Sequence, residues 1–326
     1  MKKISLKYWW ILCAIFLYTG CYDEDALSPS NDPEDLVSLP QGDHDYDDII
    51  MDWFDKYGFT AMYIFEDTDI YWGNESWLQG DHEIVDIRGG TEIGKPGDEV
   101  YVGDLCDMFD KLFLSHYPDN LLMEGMPLRI FLCSSLFNYE YGGWDVGYIK
   151  KKIWIYEGWD NIAVNGASSY IRDSLTRQDQ LDFSHDLNSY FLVKAAEFGL
   201  LSIPEEFYEE SKYDAKESLY GLKLFENGYL KQEESAVRQS KKEYMKADLQ
   251  AHLNLLSYSL DYLENGKLEE IDSYDAEPSL SGIFKRPEAA KIKKKYEILV
   301  KTLKDTGIKI GDIQNPPMVE LSLIHI

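Results

Sequence analysis

The residues of this chain that could carry chemistry are few and scattered. Its six histidines form no helical pair. His185 has Ser189 four residues on, so no second imidazole shares its face. His252 also stands alone, and both are expected to be ordinary core or surface histidines. Asp67, Asp69 and Glu75 approximate a calcium loop, but their spacing departs from that of an EF-hand. Asp81-His82-Glu83 is expected to be plain loop. Glu205 with Glu206, or the carboxylates from Asp43 to Asp48, would supply the acid pair of a glycosidase. In so acidic a chain such pairs arise by chance. There is no nucleophile elbow, no phosphate loop and no cysteine spacing suited to zinc. Cys106 and Cys133 form either one disulfide or two buried thiols.

Cys21 has the best-defined chemistry. Lys2, Lys3 and Lys7 precede an apolar run from Tyr8 to Tyr18, the length of a signal h-region and too short to cross a bilayer. Thr19 and Gly20 are small residues directly before Cys21, the order that a lipoprotein signal peptidase reads. Tyr18 stands where the usual box has a branched aliphatic. The expectation is a cleaved signal and lipobox over 1–21, with acyl chains on Cys21 that hold the protein to a membrane at roughly 0.8 kcal/mol per buried CH₂.

The elements that would position a site follow downstream. Residues 22–46 are acidic and Pro-containing and read as a flexible tether. About 280 residues then remain, enough for a real core, and a hydrophobic fraction of 44% marks them as globular. The net charge of −27 argues against nucleic acid and against anionic membrane surfaces as partners. Ile49, Ile50, Trp53 and Phe54 predict a short helix, Thr60 to Phe65 a strand, and Val102 to His116 a helix. Leu128–Cys133 and Gly147–Tyr156 predict two strands. From Ser168 the pattern is helical, with helices near 182–201, 204–212, 235–264 and 287–305, the last opening on Pro287. A mixed first half and a helical second half imply an α+β fold. Trp53, Trp72, Trp77, Trp144, Trp154 and Trp159 could stack on sugars, although core and loop packing is the favoured expectation. Leu321-Ser-Leu-Ile-His-Ile326 reads as a frame of a sequencing-library adaptor, so the natural sequence is expected to differ after about Glu320.

Several stretches occur in the order found in one family. They are Ile50-Met-Asp-Trp-Phe-Asp-Lys-Tyr-Gly-Phe-Thr60, Arg129-Ile-Phe-Leu-Cys133 with Lys152-Ile-Trp-Ile-Tyr156, Ile292-Lys-Lys-Lys-Tyr-Glu-Ile-Leu-Val300 and Gly307-Ile-Lys-Ile-Gly-Asp-Ile313. With them the chain resembles the zinc metallohydrolase lipoproteins of Bacteroidetes, zinc-binding metallopeptidases encoded beside TonB-dependent import systems. The resemblance implies a zincin-like domain over 47–315. It also implies an active helix with His-Glu-Phe-x-His, in which two histidines at i and i+4 hold Zn²⁺ and the glutamate polarises its water. Here that motif falls on Ala196-Glu197-Phe198-Gly199-Leu200, followed by Pro204-Glu-Glu-Phe207. Glu197 keeps the general-base position, while Ala196 and Leu200 stand where the histidines would. The acidic segment of a later helix aligns with Ala247-Asp248-Leu249-Gln250-Ala251, where Ala251 takes the third ligand position and Asp248 alone survives.

The resemblance therefore implies a scaffold that has lost its site, with no cofactor expected. The acidic Tyr22-Asp-Glu-Asp25 resembles the signal that exports such lipoproteins to the cell surface. The expectation is a non-catalytic outer-membrane lipoprotein accessory to TonB-dependent, SusCD-like nutrient uptake, with a glycan or peptide ligand. The alternatives are an active zinc hydrolase with a non-standard site, and a structural accessory of an outer-membrane transporter.

Overall fold

The computed structural model describes residues 38–70, 93–142, 146–213, 218–232 and 240–319. Cys21 and its signal, most of the expected tether, Glu75, Asp81-His82-Glu83, Trp72, Trp77, Trp144 and the last six residues lie outside the described residues.

Folded structure begins before the expected end of the tether. Gln41 acts as a strand substitute: its Oε1 accepts from Tyr63 N at 2.7 Å and its Nε2 donates to Ile64 O at 2.6 Å. Helix α1, Asp45–Tyr57, is fixed at its start by the His44 N–H donating to Asp47 Oδ2 at 2.9 Å. The Tyr63 hydroxyl donates to Asp47 Oδ1 at 3.0 Å. Asp47 is buried, so the acidic cluster that reads as linker is a helix cap. Ile50 and Trp53 face the core, and Phe54 turns outward.

The sheet is mixed and centred on one long strand. Strand β1 (Thr60–Met62) and β2 (Ile93–Pro96) come first, then β3 (Arg129–Tyr141), β4 (Tyr148–Lys152), β5 (Ile155–Glu157) and β6 (Asn161–Asn165). β3 pairs in parallel with β1 and β6, and antiparallel with β2 and β4; β5 pairs antiparallel with β6. Ile130–Cys133 and all of β6 are buried, as parallel strands covered on both faces must be. The stretch 147–156, expected as one strand, breaks at Ile153-Trp154. Trp154 turns into the core against Phe183, ring centroids 5.6 Å apart. Asn165 Nδ2 donates to Ile153 O at 2.7 Å and Leu136 O at 3.2 Å, satisfying carbonyls where the strands diverge. Cys106 and Cys133 are both buried free thiols, and burial pushes the Cys106 thiol up.

Helices cover this sheet and then continue alone. After the short α2 (Asp67–Ile70) come α3 (Glu99–Leu112), α4 (Asp119–Gly125), α5 (Tyr170–Asp173) and α6 (Arg177–Glu197). α6 starts five residues before the expected 182, because Thr176 and Asp179 form a capping box. Asn188 of α6 donates to Leu112 O, an orphan carbonyl at the end of α3, at 3.1 Å, and accepts from the Tyr117 hydroxyl at 2.8 Å. The helical half holds α7 (Glu205–Glu209), α8 (Leu222–Glu226), α9 (Lys241–Ser257), α10 (Leu260–Asn265), α11 (Ala290–Asp305) and α12 (Ile310–Gln314). Pro40–Ile326 forms one compact unit. Its architecture is α+β, as expected.

α9 packs on α6 with one side and on α11 with the other. Tyr244, Ala251 and Leu255 enter a second core with Tyr213, Phe225 and Ile292. Asp248 shares that side, and Lys295 of α11 meets it with Nζ 2.7 Å from Asp248 Oδ2; both are buried. The Lys295 ammonium also donates to Gly228 O at 3.0 Å and lies over the rings of Phe207, Tyr213 and Tyr229. Tyr213 OH donates to Asp248 Oδ2 at 2.6 Å. Burial alone would raise the Asp248 carboxyl, but His252 and Lys295 hold it below the ordinary range.

Breaking this pair from one side leaves an unpaired buried charge, at a cost of about 3–5 kcal/mol. Asp248→Leu alone is therefore expected to lower the urea midpoint sharply, and Asp248→Leu with Lys295→Met to recover most of the loss. Equal destabilisation by the single and double variants would contradict this.

His116 gives a second expectation. It is buried, and neither ring nitrogen has a hydrogen-bond partner among the described residues. Burial drives its pKa down to about 4, with Asp312 opposing. The unfolded chain takes up a proton below about pH 6.5 that the folded chain refuses until about pH 4. This contribution to stability is complete above pH 6.5 and falls away on acidification, by on the order of 3 kcal/mol at pH 4. Urea titrations at pH 7 and 4.5 on His116→Leu are expected to show a smaller loss than wild type.

Candidate functional site

The motif-bearing end of α6 is a helix stop. Gly199 turns left-handed at φ 74°. Its N–H donates to Ala196 O at 3.1 Å, and the Leu200 N–H donates to Ala195 O at 2.8 Å. Those two bonds make a Schellman termination. Ala196 and Leu200 would share a face in a continuous helix; here Leu200 has left the helix, and its Cδ1 lies beside Gly125 of α4. Ala251 packs into the helical core with Tyr213. The three positions assigned to metal ligands thus point to three different places.

Glu197 meets α9 and β5 through cations and an amide. Its Oε1 lies 3.1 Å from Lys246 Nζ and accepts from Gln250 Nε2 at 2.9 Å. Its Oε2 lies 3.1 Å from Lys194 Nζ, which is itself 2.5 Å from Glu157 Oε1 on β5. Although partial burial works the other way, Lys246 and Lys194 hold the Glu197 carboxyl below its ordinary value. A carboxylate stabilised in this way is a weakened base, the reverse of the upward tuning that general-base catalysis uses. Gln250, next in sequence to the aligned Ala251, reaches Glu197 from α9 together with Lys246.

Two hollows flank this cluster. One, of about 680 Å³, has apolar walls from Val193 and Ala196 of α6, Tyr208 of α7, and Met245 and Leu249 of α9. Lys241, Lys242 and Lys246 add three ammonium groups beside Glu197 and Gln250. The other, of about 500 Å³, is open and of mixed character, and includes Glu157, Asp186, Tyr190, Lys194 and Asn254. Burial and the neighbouring Asp182 push the Asp186 carboxyl up to about 6. Periodicity places Asp186 on a helix four residues after Asp182, but its burial follows only from the packing.

The remaining candidates separate into structural parts. His185 Nδ1 lies 2.7 Å from Ser257 Oγ, a nucleophile-and-base distance, but Ser257 is buried and its hydroxyl also reaches Asn254 O at 2.7 Å. Tyr258 stacks on the His185 ring at 3.9 Å, and burial lowers His185 to about 4. His252 is buried, its Nδ1 2.9 Å from Asp248 O. Glu205 and Glu206 open the short α7. Asp69 Oδ2 accepts from Glu66 N, a local turn. Trp53 and Trp154 are core, whereas Trp159 is 82% exposed. No group of three or more His, Cys, Asp or Glu side chains is placed to hold a metal among the described residues.

No family model matches the chain. No characterised protein and no solved structure matches it either.

Gly199→Ala places a Cβ at a left-handed position and is expected to cost about 1–2 kcal/mol. Glu197→Gln, which loosens only surface ion pairs, is expected to cost under about 1 kcal/mol. Urea unfolding of the two variants tests the order; a larger loss for Glu197→Gln would show that its ion pairs carry the junction.

Proposed function

We propose that this chain is a non-catalytic surface lipoprotein, anchored through Cys21, whose zincin-like domain binds a ligand in service of TonB-dependent nutrient uptake. The observation that carries it is the state of Glu197. In the family that the sequence resembles, this residue polarises a metal-bound water between two histidines on one helix face. Here its carboxylate is engaged by Lys194, Lys246 and Gln250, and the helix ends between the two ligand positions. Restoring the motif by side chains alone would not restore its geometry. The arrangement favours binding over hydrolysis because the carboxylate at the general-base position is engaged by two lysines and an amide beside an open hollow. The tether then holds the domain away from the membrane.

Two measurements on the natural chain test this. Labelled palmitate is expected to enter the wild type and not Cys21→Ser, with the protein recovered in outer-membrane fractions. After equilibration with zinc and dialysis, the purified protein is expected to hold well under one equivalent. Tightly bound stoichiometric zinc together with peptide hydrolysis would support the active-hydrolase alternative instead.

A further inference from the structure

The 680 Å³ hollow between α6 and α9 combines apolar walls with several lysines. Its size is that of small-molecule pockets, which run to about 300–1,000 Å³. Its walls are aliphatic and aromatic, and Met245 supplies an adaptable thioether side chain. Three lysines and one carboxylate line it, a local excess of two positive charges in a chain whose net charge is −27.

The lysines are not all needed by the fold. Lys246 is paired with Glu197, but neither Lys241 nor Lys242 has an acidic partner among the described residues. Glu243, the carboxylate on the same turn, is folded back on Ser240, whose N–H and hydroxyl donate to it at 2.8 Å. Two exposed ammonium groups are thus left beside an apolar hollow. At physiological ionic strength charges act over about 8 Å, so an anion entering here meets these lysines, while Glu197 is engaged by Lys194 and Lys246.

We infer that this pocket binds a small anionic amphiphile, a fatty-acid-like molecule whose chain lies against Val193, Ala196, Met245 and Leu249 and whose carboxylate meets Lys241 and Lys242. The inference rests on the reading of the domain as a binding module and names its ligand class. An extended peptide fits less well. The walls belong chiefly to α6 and α9, whose main-chain groups are bonded within the helices, so no free strand edge pairs with a peptide backbone.

The test is calorimetric titration of the full mature chain with decanoate, with decan-1-ol and acetate as the uncharged and chainless controls. Saturable one-to-one binding of decanoate is expected, at least about tenfold tighter than decan-1-ol and weakened by added salt, with acetate silent. Lys241→Ala with Lys242→Ala changes only exposed residues and is expected to weaken decanoate about tenfold. Ala196→Trp fills the hollow and is expected to abolish binding while the urea midpoint stays near wild type. Absent saturation, equal affinity for the alcohol, or indifference to both variants overturns the proposal. Binding of an amphipathic helical peptide in place of decanoate overturns the ligand class and leaves the binding module standing. Bound zinc with hydrolysis overturns the binding module itself.

Discussion

Lys295 carries an ammonium group into the interior of the helical half, and Asp248 is the carboxylate it pairs with there among the described residues. An isolated ion at such a depth costs several kcal/mol, so the contact cannot be given up piecemeal. It also fixes an angle. Successive residues of a helix turn by about 100°; with Asp248 held against α11, the residues two before and two after it lie almost diametrically opposite. Those residues are Lys246 and Gln250, and both reach Glu197 on α6. The buried pair on one side of α9 thereby sets the surface cluster on the other. An apolar pair of equal volume would fill the same space without demanding one rotation of the helix.

This coupling explains why the junction of the two halves is well formed although α9 is not strongly amphipathic in sequence. Tyr244, Asp248, Ala251 and Leu255 serve one core, while Leu249, Leu253 and Leu256 are buried elsewhere on the helix. A helix buried on two sides shows no single apolar stripe. Lys241, Lys242 and Lys246 are exposed near its start. The hollow lies beside these lysines, with the small side chain of Ala196 on its α6 wall.

Much of the fold was legible in the sequence, and the failures have particular causes. The helices near 182–201 and 287–305 announced themselves through periodicity and Pro287, with ends displaced by capping that periodicity does not register. β6 was missed because Asn161-Ile-Ala-Val-Asn165 is short and ends in Asn at both sides; its burial depends on pairing with β3 far away in the chain. The boundary of the tether was misplaced because Gln41, His44 and Asp47 look like linker residues, whereas their side chains satisfy backbone groups of the first strand and helix. The ion pair of Asp248 with Lys295 was invisible, since 47 residues separate the partners and lysines at 293–295 look alike in sequence. Only the rotation of α11 selects Lys295 for the interior.

The candidate site was legible as a set of absences, and three dimensions turned them into a different object. The resemblance would make Glu197 a general-base position and puts Gly199 within the same motif. Gly199 is better explained by its left-handed backbone, which ends α6, and Glu197 by the lysines it joins. Each residue therefore has a structural role sufficient to account for it without catalysis. A residue that fits a place in a motif says little about activity when neighbouring groups engage its reactive atoms. Under that resemblance Glu197 Oε1 and Oε2 are the atoms a metal-bound water would need, and Gln250, Lys246 and Lys194 engage them. Whatever ligand enters beside them meets a groove whose one carboxylate is already neutralised. Anions are then the species that the remaining free charge, on Lys241 and Lys242, selects.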